Sequence, residues 1–202
     1  MKIICIGKNY ADHAAEMKSS IPTEPLVFMK PPTALLVNNK PFYYPDFTED
    51  LHYEGEIVLK INKNGRHIQP EFGRGYYDQI AFGFDMTARD LQWKCKEKGH
   101  PWEIAKGFDN SAPISNFINI GDRDVNDIKF TTVLNEEVVQ NGDTSKLIFN
   151  FDTLICYVSK FFKLQQGDLI YTGTPAGVGP VKIGDTLKGY IEDKEMIKCE
   201  IR

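Results

Sequence analysis

Apolar residues fall in short runs separated by Gly, Pro and Asn, the pattern of brief strands joined by turns. Residues 2–6 read as a buried strand that leaves through Gly7-Lys8-Asn9-Tyr10. Leu26 to Met29, Ala34 to Val37 and Pro41 to Tyr44 predict further strands, punctuated by Pro31-Pro32, Asn38-Asn39 and Pro45. Residues 52–61 predict one central strand, and Asn64-Gly65 after it is a strong turn signal. Ile80 to Phe84 reads as the next strand and ends on an acid, Asp85.

Helical spacing is rarer. Residues 12–18 predict a brief helix with Asp12 placed to cap it, and residues 70–78 another. From Thr87 or Ala88 the pattern is helical to Lys98, where Gly99 supplies the stop. Residues 102–108 read as extended after Pro101. Ile128 to Asn135 and Glu137 to Gln140 predict a hairpin around Asn135-Glu136, with Asn141-Gly142 as the following turn. Phe151 to Phe162 carries apolar residues at helical spacing, Leu169 to Thr172 reads as a strand, and the chain ends in a hairpin around Glu192-Asp193-Lys194. Strands outnumber helices and do not alternate regularly with them, so the fold class is α+β rather than a doubly wound sheet.

Length changes this picture little: 202 residues can bury a core without staples, which predicts a single domain over 1–202. A net charge of −4 with scattered Lys and Arg gives no footprint for nucleic acid. No apolar run approaches the roughly 20 residues that span a bilayer, and residues 2–6 are too short for a signal-peptide core. The four cysteines lie far apart with no CxxC pair, so they read as buried, reduced thiols. A cytoplasmic protein is the expectation.

Candidate chemistry concentrates at a few positions. Glu54 and Glu56 lie two apart on a predicted strand and share a face, where like charges oppose each other unless a proton or a cation intervenes. A solvated face and a divalent-cation site both remain open on this stretch alone. Asp85 adds a third hard oxygen donor at a strand end, with no His or Cys cluster beside it, which favours Mg2+ or Mn2+ over zinc. His13 and Glu16 share a helical face, and the breakers from Ser19 to Pro25 give residues 10–22 the look of a lid, although a surface turn of helix would read the same way. The loop of residues 173–180 lacks the Gly-Lys-Ser/Thr of a phosphate loop, yet its N–H groups and Thr174 could hold a carboxylate.

Five ordered motifs then matter together: Gly7-Lys8-Asn9-Tyr10-Ala11-Asp12-His13-Ala14-Ala15-Glu16-Met17, His52-Tyr53-Glu54-Gly55-Glu56, residues 85–92, residues 105–109, and Thr172-Gly173-Thr174-Pro175-Ala176-Gly177-Val178-Gly179. In this order they resemble the fumarylacetoacetate hydrolase family, closest to its short acylpyruvase and oxaloacetate decarboxylase type. The resemblance implies a mixed β-sandwich roll, usually a homodimer, with one Mg2+ or Mn2+ held by Glu54, Glu56 and Asp85. It implies that His13 takes a proton from water while Glu16 orients the imidazole, on a lid that orders with substrate. By the same resemblance Lys106 stabilises an oxyanion, and Arg89, Gln92 and Thr174 grip substrate oxygens.

The implied activity is metal-dependent cleavage of a carbon–carbon bond in acylpyruvates, or decarboxylation of oxaloacetate, through a pyruvate enolate held at the metal. The alternatives are an isomerase of the 2-hydroxyhepta-2,4-diene-1,7-dioate type and, from another class, a metal-binding protein without turnover. Gly107 departs from the serine common after the lysine in relatives.

Overall fold

The computed structural model describes residues 1–17 and 19–202. The chain opens with β1 (Ile3–Gly7), the short helix α1 (Ala11–Glu16) and β2 (Leu26–Lys30). β3 (Leu35–Leu36), β4 (Leu51–Tyr53), β5 (Gly55–Ile61) and β6 (Tyr77–Phe84) follow. β7 (Thr87–Ala88) runs directly into α2 (Arg89–Lys98), and α3 (Glu103–Lys106), β8 (Ala112–Pro113) and β9 (Ile118–Asn119) come next. Then come β10 (Lys129–Leu134), β11 (Glu137–Asp143), α4 (Phe151–Phe161) and β12 (Leu169–Tyr171). β13 (Gly179–Pro180), β14 (Thr186–Ile191) and β15 (Lys194–Glu200) complete it.

A six-stranded sheet runs in the order β2-β1-β12-β5-β6-β9, mixed because β1 and β12 pair parallel while their neighbours pair antiparallel. The second sheet, β11-β10-β14-β15, is antiparallel throughout. The two meet through aromatic packing: Phe82 of β6 lies edge-on to Phe130 of β10, with ring centroids 6.1 Å apart. Gly189 of β14 makes room for it, since a Cβ there would stand 2.3 Å from the Phe82 ring. One apolar cluster draws on Ile4, Phe42, Ile57, Phe82, Leu187 and Ile201, residues from both ends of the chain. This is the mixed α+β sandwich that the motifs imply.

Several predicted elements differ in detail. The strand expected over 52–61 is two strands: β4 pairs with β7 and β13, whereas β5 pairs with β6 and β12. The chain changes sheet at Glu54, and Gly55 permits the change because a Cβ there would lie 2.2 Å from the Thr132 hydroxyl. Residues 102–108 are not extended; Ala105 and Lys106 both donate to the Trp102 carbonyl at 2.9 Å and form α3. Pro101 constrains the residue before it and leaves a helix free to start after it. Asn141-Gly142 is no turn but lies inside β11, where the ring of Phe130 fills the space a side chain would need. Asp12 sits in the first turn of α1 rather than at its cap, which is Tyr10, so it acts on the helix dipole instead. Of Pro41 to Tyr44 only Phe42 makes a β-bridge, to Ile201. The hairpin turn at Asn135-Glu136 takes positive φ at both residues (49° and 70°), as a tight two-residue turn requires.

Candidate active site

Strand register brings the three acids together. β5 and β6 pair Gly55 with Phe84 and Glu56 with Gly83, so Asp85, one residue past β6, arrives opposite Glu54. The Asp85 N–H donates to the Glu54 carbonyl at 2.8 Å and fixes that end of the ladder. Glu54, Glu56 and Asp85 are all buried, and each offers an oxygen within 4.8 Å of the others. The shared face expected for Glu54 and Glu56 is therefore an interior face.

Three cations meet these acids. Arg89, at the start of α2, donates from Nη2 to Glu54 Oε1 at 2.7 Å. Lys106, at the end of α3, donates to Glu54 Oε2 (2.9 Å), Asp85 Oδ2 (2.8 Å) and Thr87 Oγ1 (2.7 Å). Sequence reasoning missed the third, Lys30, whose side chain is wholly buried and whose ammonium lies 2.8 Å from Asp85 Oδ1. Lys30 also donates to the Ser111 carbonyl and hydroxyl, both at 3.0 Å, and to the carbonyl of Lys106. Its signal was a lone lysine ending the apolar run Leu26-Val27-Phe28-Met29, a position where a charge is retained only if it is paired.

The electrostatic consequences diverge. Burial pushes the Glu54 carboxyl up, but Lys106 and Arg89 outweigh it and hold that carboxyl well below the usual range. Burial, reinforced by Asp85 and Glu54, pushes Glu56 well up, and the Gly173 N–H donated to Oε2 at 2.7 Å only partly offsets it. Lys106 would be lowered by burial, yet Asp85 and Glu54 raise it above the ordinary lysine value. Glu56 is thus the acid left short of positive charge.

The His13 and Glu16 pair is formed on α1, with Nδ1 and Oε2 3.1 Å apart. The other Glu16 oxygen accepts the Gly177 N–H at 3.1 Å, and Tyr53 donates its hydroxyl to the Gly177 carbonyl at 3.0 Å. The short helix therefore rests on the glycine-rich loop. Residue 18, inside the segment read as a lid, lies outside the described residues.

All the predicted site residues except Glu16 and Asp85 line one cleft. Glu16 stands behind His13, and Asp85 behind Lys106. Arg89 braces Glu54, not Asp85 or Asp90, and holds Gln92 Oε1 at 2.8 Å. The Thr174 hydroxyl donates to the Gly55 carbonyl at 2.9 Å and accepts from Gln140 at 2.8 Å.

The donor set fits a divalent cation. Carboxylate oxygens are hard donors suited to Mg2+ or Mn2+, and like-charged buried acids at this spacing call for more positive charge at Glu56 than Lys106 supplies. A His–Glu pair, a cluster of three buried acids and a buried ammonium thus lie around one cleft.

The family described as Fumarylacetoacetate (FAA) hydrolase C-terminal matches residues 2–202. The chain is 41% identical to the mitochondrial oxaloacetate tautomerase of Bos taurus over 200 residues, covering 98% of this chain and 90% of that relative. It is 40% identical to the mitochondrial oxaloacetate decarboxylase of Dictyostelium discoideum over 189 residues, 93% and 87% of the two chains. Among solved structures it resembles a fumarylpyruvate hydrolase from Pseudomonas aeruginosa in complex with Mn2+ and pyruvate. The TM-score is 0.94 at 36% identity, over 100% of this chain and 89% of that one.

Proposed function

This chain belongs to the fumarylacetoacetate hydrolase family, and from that premise we propose that it is a divalent-metal-dependent enzyme acting on 2-oxo acids. It cleaves the carbon–carbon bond of acylpyruvates or decarboxylates oxaloacetate, with pyruvate as the common product. The observation that carries this reading is one cleft lined by Glu54, Glu56, His13 and Lys106, with Asp85 within 4.8 Å of the two glutamates and Glu16 paired to His13. A pyruvate-bound hydrolase and an oxaloacetate decarboxylase among the relatives support it.

Glu54, Glu56 and Asp85 would hold the cation, Mg2+ or Mn2+, which would polarise the carbonyl of the 2-oxo acid. His13, with Nδ1 facing Glu16, takes a proton from water at its other ring nitrogen. Lys106 supplies positive charge at the distal carbonyl as it becomes an oxyanion. Gln92 keeps its amide donors for substrate, since Arg89 occupies only its oxygen, and Arg89 orders both Gln92 and Glu54. The Thr174 hydroxyl is already engaged, so its contribution to a carboxylate comes from the backbone N–H. Residues 10–22 act as the lid of a single catalytic domain spanning 1–202, a reading supported by the Glu16 to Gly177 contact that rests α1 on the glycine-rich loop.

The relatives named oxaloacetate tautomerases favour a second outcome at the same centre. His13 would then move a proton at the carbon next to the 2-oxo group, and no carbon–carbon bond breaks. No helix among the described residues is long and apolar enough to cross a membrane. We place the protein in the cytoplasm as a homodimer.

The test is a metal-supplemented panel of oxaloacetate, acetylpyruvate and fumarylpyruvate, with pyruvate release and enol–keto conversion followed separately in the parent and in His13→Ala. Hydrolysis falls much more than decarboxylation in the variant. Equal losses remove water activation from His13, and enol–keto conversion without pyruvate release moves the assignment to tautomerisation.

A further inference from the structure

The cations of the cleft are not all accounted for. Arg89 and Lys106 are tied to Glu54, and Lys106 also to Asp85. Lys8 and Lys96 line the same cleft, and neither has a carboxylate within salt-bridge distance among the described residues. Lys96 instead rests against indole rings, its ammonium 4.6 Å from the Trp93 centroid and 5.6 Å from that of Trp102. Half-burial, then the like charges of Arg89 and Lys8, push its pKa down to about 8. An ammonium held among other cations without an anion is at a disadvantage that a bound anion would remove.

The helix fixes where that anion would sit. Arg89, Gln92 and Lys96 are three and then four residues apart on α2, so they form one row along its face. Arg89 marks the acid cluster, and Lys96 lies about 10 Å further along the axis. The same cleft is also lined by apolar residues, among them Phe28 packed on Trp102 at 5.9 Å between centroids. A ligand matching this cleft has a charged group at each end and carbon between.

We propose that Lys96, with Lys8 beside it, anchors a second carboxylate at the far end of the substrate, so that the site selects 2-oxo acids carrying a distal carboxylate over those ending in an alkyl group. This rests on the 2-oxo acid reading above and adds to it the residues that choose the substrate's other end. Neither lysine touches the reacting atoms, so both are specificity residues.

The experiment separates the anchor from turnover. Titration calorimetry on the Mn2+-loaded protein compares 2-oxoglutarate with 2-oxopentanoate, which share a chain length and differ in the distal carboxylate. The parent prefers 2-oxoglutarate. Lys96→Met weakens 2-oxoglutarate by about tenfold, the size of a charge-assisted contact at a partly exposed site, and leaves 2-oxopentanoate within about twofold. Lys8→Met gives a smaller loss in the same direction, and Lys96→Arg keeps the preference. A parallel turnover assay uses fumarylpyruvate, whose distal carboxylate lies away from the bond that breaks, against acetylpyruvate, where Lys96→Met raises KM for fumarylpyruvate with kcat little changed. No preference in the parent, or equal losses on both ligands in Lys96→Met, overturns the proposal. If neither compound is turned over while the binding preference persists, the enzymatic reading fails and the anchor stands.

Discussion

Replacing Lys30 with Met probes how the acid cluster is kept in charge balance. Three carboxylates, Glu54, Glu56 and Asp85, face three cations, Lys30, Arg89 and Lys106. Lys30→Met keeps most of the side chain's length and volume while deleting one charge. Asp85 Oδ1 then loses its 2.8 Å partner in a place where the two side chains are 0% and 1% exposed, so water cannot replace it. Removing one member of a buried pair costs about 3–5 kcal/mol. The carbonyl of Ser111 still accepts the Met86 N–H at 2.9 Å, so the lost backbone contacts add little beyond that. For a chain of this length the loss lowers Tm by about 6–20 °C. Urea and thermal unfolding followed by circular dichroism measure it. Asp85→Asn in the same background closes a double-mutant cycle, with a coupling of about 2 kcal/mol or more. A loss under about 1 kcal/mol in Lys30→Met, or additive effects in the cycle, refutes the charge-balance argument.

Other outcomes follow from contacts already described. Glu56, pushed well up, keeps a proton to higher pH than an ordinary carboxylate, so Mn2+ binding releases that proton and becomes tighter as pH rises. Calorimetry in buffers of different ionisation enthalpy reads the release, and identical heats in all buffers count against it. Gly177 has φ +96° and a Cβ there would stand 2.1 Å from the Val139 carbonyl, so Gly177→Ala loses about 2 kcal/mol or more in urea unfolding; a change under about 0.5 kcal/mol contradicts the packing described. Lys96 faces Arg89, Lys8 and Lys106 as well as Glu54, and with a pKa near 8 it discharges as pH rises. The preference for 2-oxoglutarate over 2-oxopentanoate therefore shrinks between about pH 7 and pH 9, and a flat ratio across that range excludes Lys96 as its source.

Much of the site was legible because the motifs carry their own chemistry. Alternation along a strand placed Glu54 and Glu56 on one face, and helical spacing placed His13 beside Glu16. The sequence pattern did not reveal that residues 52–61 change sheet, because periodicity reports which face a residue takes and not which neighbour it pairs with. Lys30 escaped for a related reason: its partners Asp85, Ser111 and Lys106 are far away in sequence, and only the closed fold brings them together. Gly142 looked like turn chemistry because Asn-Gly is a turn signal in isolation; the Phe130 ring across the strand overrides it. The helix at 103–106 is a single turn, too short to show a period.

The change of sheet at Glu54 also bears on how the molecule comes apart. One residue closes the small sheet of β4 and opens the large one at β5, and its carboxylate belongs to the trio suited to a cation. An ion gripped there is a rivet through a structural seam, tying β6, through Asp85, to both sides. At a free concentration of a hundred times Kd such an ion adds about 2.7 kcal/mol against unfolding. Stripping it with a chelator therefore loosens the joint itself, and backbone amides along Leu51–Tyr53 and the start of β5 exchange with solvent sooner than those in the distant hairpin of β14 and β15.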